Sequence, residues 1–129
     1  MSSFVLDSSA LLACLNQEAG SEAVADIVAD ALLGTVNLAE TMTVLVRQGA
    51  SRERATEILQ LWDFQVVDFE RSLAEETGAL IELTRSMGLS LGDRACLALA
   101  RARGLPALTA DRSWNGIDVG VQSVCDALG

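Results

Sequence analysis

Short apolar runs alternate along this chain with longer stretches of helical spacing. Phe4, Val5 and Leu6 form one such run, which stops at Asp7; continuous apolar runs of this length read as buried strands. Ser8 and Ser9 precede an apolar segment over 10–15, which predicts a helix starting at once. Over 21–33, Ala23, Ile27 and Leu32 share one face while Glu22, Asp26 and Asp30 share the other, and Gly34 ends the helix. A second strand is predicted at 35–36. Asn37 caps a helix over 38–48, and Ser51 caps another over 52–62. Strand three falls at 64–67 and closes at Asp68, and 70–87 is a long helix ended by Gly88. Ser90, followed three residues later by Asp93, has the spacing of a capping box and opens a helix that runs to Arg103 and Gly104. Pro106 suits only the start of a strand, so strand four takes 107–109. A fifth is expected at 119–124.

Alternation of this kind predicts an α/β three-layer sandwich, with a central, mostly parallel sheet of about five short strands flanked by helices. No linker, repeat or low-complexity tract interrupts it, so residues 1–129 are read as a single domain. Half of the residues are hydrophobic and only 4% aromatic, which suits helices packed on a buried parallel sheet. No apolar run approaches the roughly 18 residues of a membrane span, and the N-terminus lacks the basic flank of a signal peptide. Cys14, Cys96 and Cys125 are widely spaced and set among apolar residues, as expected of reduced, buried thiols in a cytoplasmic protein.

Two absences narrow the chemistry. The chain has no His, and all nine of its basic residues are Arg. Ser-His-Asp and Cys-His catalysis are therefore excluded, as are a P-loop lysine and Schiff-base chemistry. Carboxylates, hydroxyls, Arg or a bound metal remain. Asp7 and Asp111 follow predicted strands, where open parallel sheets bind ligands. Glu40 and Asp93 lie three residues into helices that start toward the same edge. Each acid has an ordinary alternative, as a helix cap, half of a capping box or a turn residue. Convergence of all four carries a cost that capping does not justify: two carboxylates ~4 Å apart repel by about 4 kcal/mol at an effective dielectric of ~20. A divalent cation with a preference for oxygen, Mg²⁺ or Mn²⁺, would offset it and activate water against a phosphate ester. The net charge of −9 argues against broad attraction to nucleic acid, though not against a local Arg-lined path or a bound cation that reverses the local sign.

The blocks "FVLDSSALLACL", "VNLAETMTVL" and "LSLGDRACLALARARGLPALTADRSW", in this order, resemble PIN-domain ribonucleases, and above all the toxin component of VapBC-type toxin–antitoxin pairs. The resemblance covers essentially the whole chain. It implies an acidic quartet of Asp7, Glu40, Asp93 and Asp111 that binds Mg²⁺ or Mn²⁺ and hydrolyses RNA phosphodiester bonds, transfer RNA being a common target in that family. It also implies a homodimer, held inactive by an antitoxin whose C-terminal segment enters the acidic groove. Ser9 and Thr109 fall where the family has supporting hydroxyls, with cap and strand-end roles as their ordinary alternatives. Arg94 either neutralises the cluster or meets phosphate, or is a helix-surface Arg paired with an acid; Arg112 is equally open. Arg47, Arg52 and Arg54 serve an RNA path or solubility. Trp114 is expected to pack over its loop rather than stack on a base, and Asp118, which could extend the acidic site, is left outside the core set. Two other readings stand beside the nuclease: a PIN-fold module that binds RNA or antitoxin with little catalysis, and phosphotransfer on an Asp, which the missing Lys disfavours.

Overall fold

The computed structural model describes residues 2–16, 26 and 28–111. Its elements are β1 (Phe4–Leu6), α1 (Ser8–Leu15), β2 (Ala31–Gly34), α2 (Thr35–Arg47), α3 (Arg52–Gln60), β3 (Gln65–Val67), α4 (Arg71–Ala79), α5 (Ile81–Thr84), a 3₁₀ turn (Arg85–Met87), α6 (Leu91–Arg103) and β4 (Ala107–Leu108). The four strands are parallel, in the order β3-β2-β1-β4. The fifth strand expected at 119–124 lies outside the described residues.

Side-chain alternation along these strands builds the three layers. Leu6, Leu33 and Leu108 are paired in register and point to one face, where they pack with Ala10, Leu11 and Cys14 of α1, Leu45 of α2 and Leu59 of α3. Val5, Leu32 and Ala107, one residue back in the same register, point to the other face. There they meet Leu80 and residues 96–100 of α6. Both faces of the sheet are thus apolar and covered, as parallel sheets require. Each fully buried Leu contributes about 1.5–3 kcal/mol.

The second strand lies at Ala31–Gly34, not at 35–36, so the helix expected over 21–33 does not extend over 31–33; residues 21–25 and 27 of it lie outside the described residues. Leu32 and Leu33 fit a helical stripe, but they are buried on opposite faces, and pairing with β1 decides for a strand. The next helix therefore starts at Thr35, with Gly34 as its cap, and Asn37 lies inside its first turn rather than before it. The long helix expected over 70–87 is broken. Helix α4 stops at Ala79 and α5 spans only Ile81–Thr84, and the backbone leaves helical angles at Thr84, with φ −120°. Gly88 and Gly104 end their helices at φ 67° and 63°, a region costly for residues with a Cβ. No helix among the described residues is long and apolar enough to cross a membrane.

Candidate active site

With β2 and β3 on one side of β1 and β4 on the other, the strand order reverses beside β1. Ligands of open parallel sheets bind in the crevice at such a reversal, beyond the carboxyl ends of the strands. Asp7 is the residue that β1 delivers there. It is 3% exposed and caps α1. Its Oδ1 accepts from the Ala10 N–H and the Ser9 hydroxyl, both at 2.8 Å, and its Oδ2 from the Thr109 hydroxyl at 2.5 Å. Cap and site are the same side chain.

Ser9 and Thr109 do more than touch Asp7. Their hydroxyl oxygens lie 3.1 Å apart. Ser9 Oγ accepts from the Ala110 N–H, and Thr109 Oγ1 from the Asp111 N–H, each at 3.0 Å. The pair therefore ties the backbone beyond β4 to the first turn of α1.

Glu40 projects from the second turn of α2. Its Oε1 accepts from Asn37 Nδ2 at 3.0 Å and from the Ser8 hydroxyl at 3.4 Å. Asp93 sits in the first turn of α6 as half of a complete capping box. Its Oδ2 accepts from the Ser90 N–H at 2.9 Å, and Ser90 Oγ accepts from the Asp93 N–H at 3.1 Å. Asp111 is exposed.

Electrostatics link three of these acids. Burial pushes the Asp7 carboxyl up to about 6; hydrogen bonds from Thr109, Ala10 and Ser9 pull against the rise, and the charge of Asp93 adds to it. The Cys96 thiol, one turn beyond Asp93 in α6, is pushed well up, first by complete burial and then by the charges of Asp7, Asp93 and Glu40. Asp7, Glu40 and Asp93 thus act on one small region. Even so, among the described residues no three His, Cys, Asp or Glu side chains are drawn together tightly enough to hold a metal ion.

The other expected residues divide. Arg94 turns to α4, where Nη1 donates to the Thr77 carbonyl at 3.0 Å while Nε is buried with no hydrogen-bond partner among the described residues. Arg47, Arg52 and Arg54 are exposed, and Arg54 pairs with Glu57 at 3.4 Å. Arg112, Trp114, Asp118 and Cys125 lie outside the described residues. Cys14 and Cys96 are both buried, as expected, and Cys96 is a free thiol.

Three participants escaped the sequence reading: Ser8, Asn37 as a side-chain donor, and Gly92 as a space for Glu40. A Cβ at Gly92 would overlap the Glu40 carboxylate. The signal for it was the glycine immediately before Asp93, which reads from sequence only as an aid to helix initiation.

Fold and site together define a three-layer parallel α/β protein with a buried carboxylate at the strand-order reversal and two more beside it. The PIN domain family model matches residues 4–120, so this chain belongs to the PIN domain family. No curated protein matches it in sequence. Among solved structures it is similar to DNA-bound VapBC from Salmonella typhimurium, with 20% identity, a TM-score of 0.75, and coverage of 96% of this chain and 98% of that one. It is also similar to Mycobacterium tuberculosis VapC20, a sarcin-ricin loop cleaving toxin, with 22% identity, a TM-score of 0.71, and coverage of 93% and 99%. A toxin–antitoxin complex from Klebsiella pneumoniae aligns at 20% identity and a TM-score of 0.69, over 92% and 95% of the two chains. At these identities the likeness is one of fold.

Proposed function

We propose that this PIN-domain protein is a divalent-metal-dependent endoribonuclease, the toxin of a type II toxin–antitoxin pair. One observation carries the reading: a desolvated Asp7 at the strand-order reversal, with Glu40 and Asp93 acting on the same region. Like charges held in one partly dry place call for a cation.

The donors suit Mg²⁺ or Mn²⁺. They are oxygens only, with no imidazole, and the nearest thiol is held protonated by burial. Asp7, Glu40, Asp93 and Asp111 would hold the ion. When bound, it would supply an activated water and stabilise charge on the leaving oxygen. The chain's own part is positioning. Ser9, Thr109 and the Ala10 N–H fix Asp7. Asn37 and Ser8 hold one oxygen of Glu40, and the Ser90 N–H likewise holds one oxygen of Asp93. These contacts set the donors before substrate arrives, which limits reorganisation during reaction.

RNA is the proposed substrate, in line with the sarcin-ricin loop cleaved by the Mycobacterium neighbour, and transfer RNA is the target to test beside it. An antitoxin is the proposed partner, since two neighbours are toxin–antitoxin assemblies. An acidic groove favours a basic tail, so association should slow as salt rises. A homodimer is proposed as well; Val46, Leu61 and Val66 leave apolar side chains exposed near α2, α3 and β3.

The test is cleavage of transfer and ribosomal RNA with Mg²⁺ or Mn²⁺ by wild type, Asp7→Asn and Asp93→Asn. Wild-type cleavage with at least ~100-fold loss in both variants is expected; equal rates would refute the site. A second reading, a PIN module that binds RNA or antitoxin with little catalysis, draws on the carboxylates not being gathered at metal-holding distance. It predicts RNA or antitoxin binding without turnover at any Mn²⁺ concentration.

A further inference from the structure

Glu40 is held more elaborately than a helix-surface acid needs. Asn37 lies three residues before it, on the same side of α2, and is 1% exposed. Its amide nitrogen has two protons and two acceptors, Glu40 Oε1 at 3.0 Å and the Gly92 carbonyl at 3.2 Å. One side chain thus bridges an acid on α2 to the backbone of α6, one residue before Asp93. Gly92 completes the arrangement from the other side. The Glu40 carboxylate lies against the bare backbone of residue 92, where any Cβ would collide with both of its oxygens. The Ser8 hydroxyl closes the third side.

We propose that Asn37 and Gly92 are positioning residues that lock the Glu40 carboxylate between α2 and the first turn of α6, the turn that carries Asp93. This rests on the nuclease reading. The chemistry demands an amide at 37. Asp would set oxygen against both Glu40 and the Gly92 carbonyl, and Ala would leave both acceptors without their donor. The chemistry equally demands no side chain at 92, whatever the local helix preference. Groups that orient metal-binding carboxylates in this way are typically worth ~10–100-fold in metal affinity.

The experiment joins a stability cycle to Mn²⁺ binding, read by electron paramagnetic resonance of free Mn²⁺ in the absence of RNA. Gly92→Ala is expected to lower the melting temperature in the wild-type background and to leave it unchanged in a Glu40→Ala background, where the space is vacant. Asn37→Ala and Asn37→Asp are expected to bind Mn²⁺ at least ~10-fold more weakly than wild type. For Asn37→Ala, cleavage should need correspondingly more Mn²⁺ yet recover to within about threefold of wild type at saturation, as for a residue that acts through Glu40. Gly92→Ala equally destabilising in both backgrounds, or Asn37→Ala binding Mn²⁺ as tightly as wild type, overturns the inference. A wild type that neither binds Mn²⁺ nor cleaves RNA refutes the nuclease reading instead, and the coupling between positions 40 and 92 then decides the inference alone.

Discussion

Replacing Asp7 with Asn should make the metal-free protein more stable. Burial raises the Asp7 carboxyl from 3.8 to about 6. A tenfold change in proton affinity is worth about 1.4 kcal/mol, so keeping this group ionised in the folded state costs up to about 3 kcal/mol at pH 7.5. The folded state binds the proton more tightly than the unfolded state. Its advantage is therefore complete below about pH 4 and is lost as the pH rises through about 6. Asn is neutral throughout. Its carbonyl would still accept from Ala10 and Ser9, and its amide would face Thr109, whose hydroxyl can turn toward Ser9. Unfolding with urea or heat in a chelator, from pH 4 to 8, checks this. The variant should exceed wild type by about 2–3 kcal/mol at pH 7.5, on the order of 6–12 °C in Tm. The gap should fall to about half at pH 5 and close near pH 4. A variant less stable than wild type at pH 7.5, or a gap that does not change with pH, would refute the reasoning. Stabilisation together with lost cleavage would mark Asp7 as an acid kept for function at the expense of the fold.

Three other outcomes are expected. Asp93→Asn keeps an acceptor for the Ser90 N–H, so its stability should stay within about 1 kcal/mol of wild type while cleavage is lost; circular dichroism and RNA assays on one preparation show both. Ser90→Ala removes the acceptor for the Asp93 N–H and should cost ~1 kcal/mol, measured by urea unfolding. Arg94→Met retains the packing stem but loses the bond to the Thr77 carbonyl; a loss of about 1 kcal/mol is expected, with unchanged Mn²⁺ dependence of cleavage, and a large change in that dependence would return Arg94 to the site.

Layers and edge were legible because each depends on a local pattern. Three apolar residues followed by Asp7 made β1 and its cap. Ser90, Asp93 and Gly104 marked both ends of α6. The errors lie where tertiary pairing overrides such patterns. Leu32 and Leu33 fit a helix until β1 pairs with them, and shifting that strand back turned Asn37 from a cap into an interior donor. Sequence placed Arg94 beside Asp93, but helical geometry separates adjacent residues by about 100°, and its guanidinium lies against α4. Gly92 could not be read as a space, because its counterpart, Glu40, is 52 positions away.

The pairing of β1 with β4 also bears on how the surroundings of Asp7 are assembled. Asp7 and Thr109 are 102 positions apart in sequence, yet bond directly. Their strands are next to each other in the sheet, and β4 has only two residues. Contacts of such wide separation require closing nearly the longest loop the chain offers. Until β4 pairs with β1, Asp7 is without the hydroxyl that fixes its second oxygen. The setting of Asp7 thus depends on a two-residue strand about a hundred positions away, and any partly folded state with β4 undocked holds the carboxylate without its full arrangement.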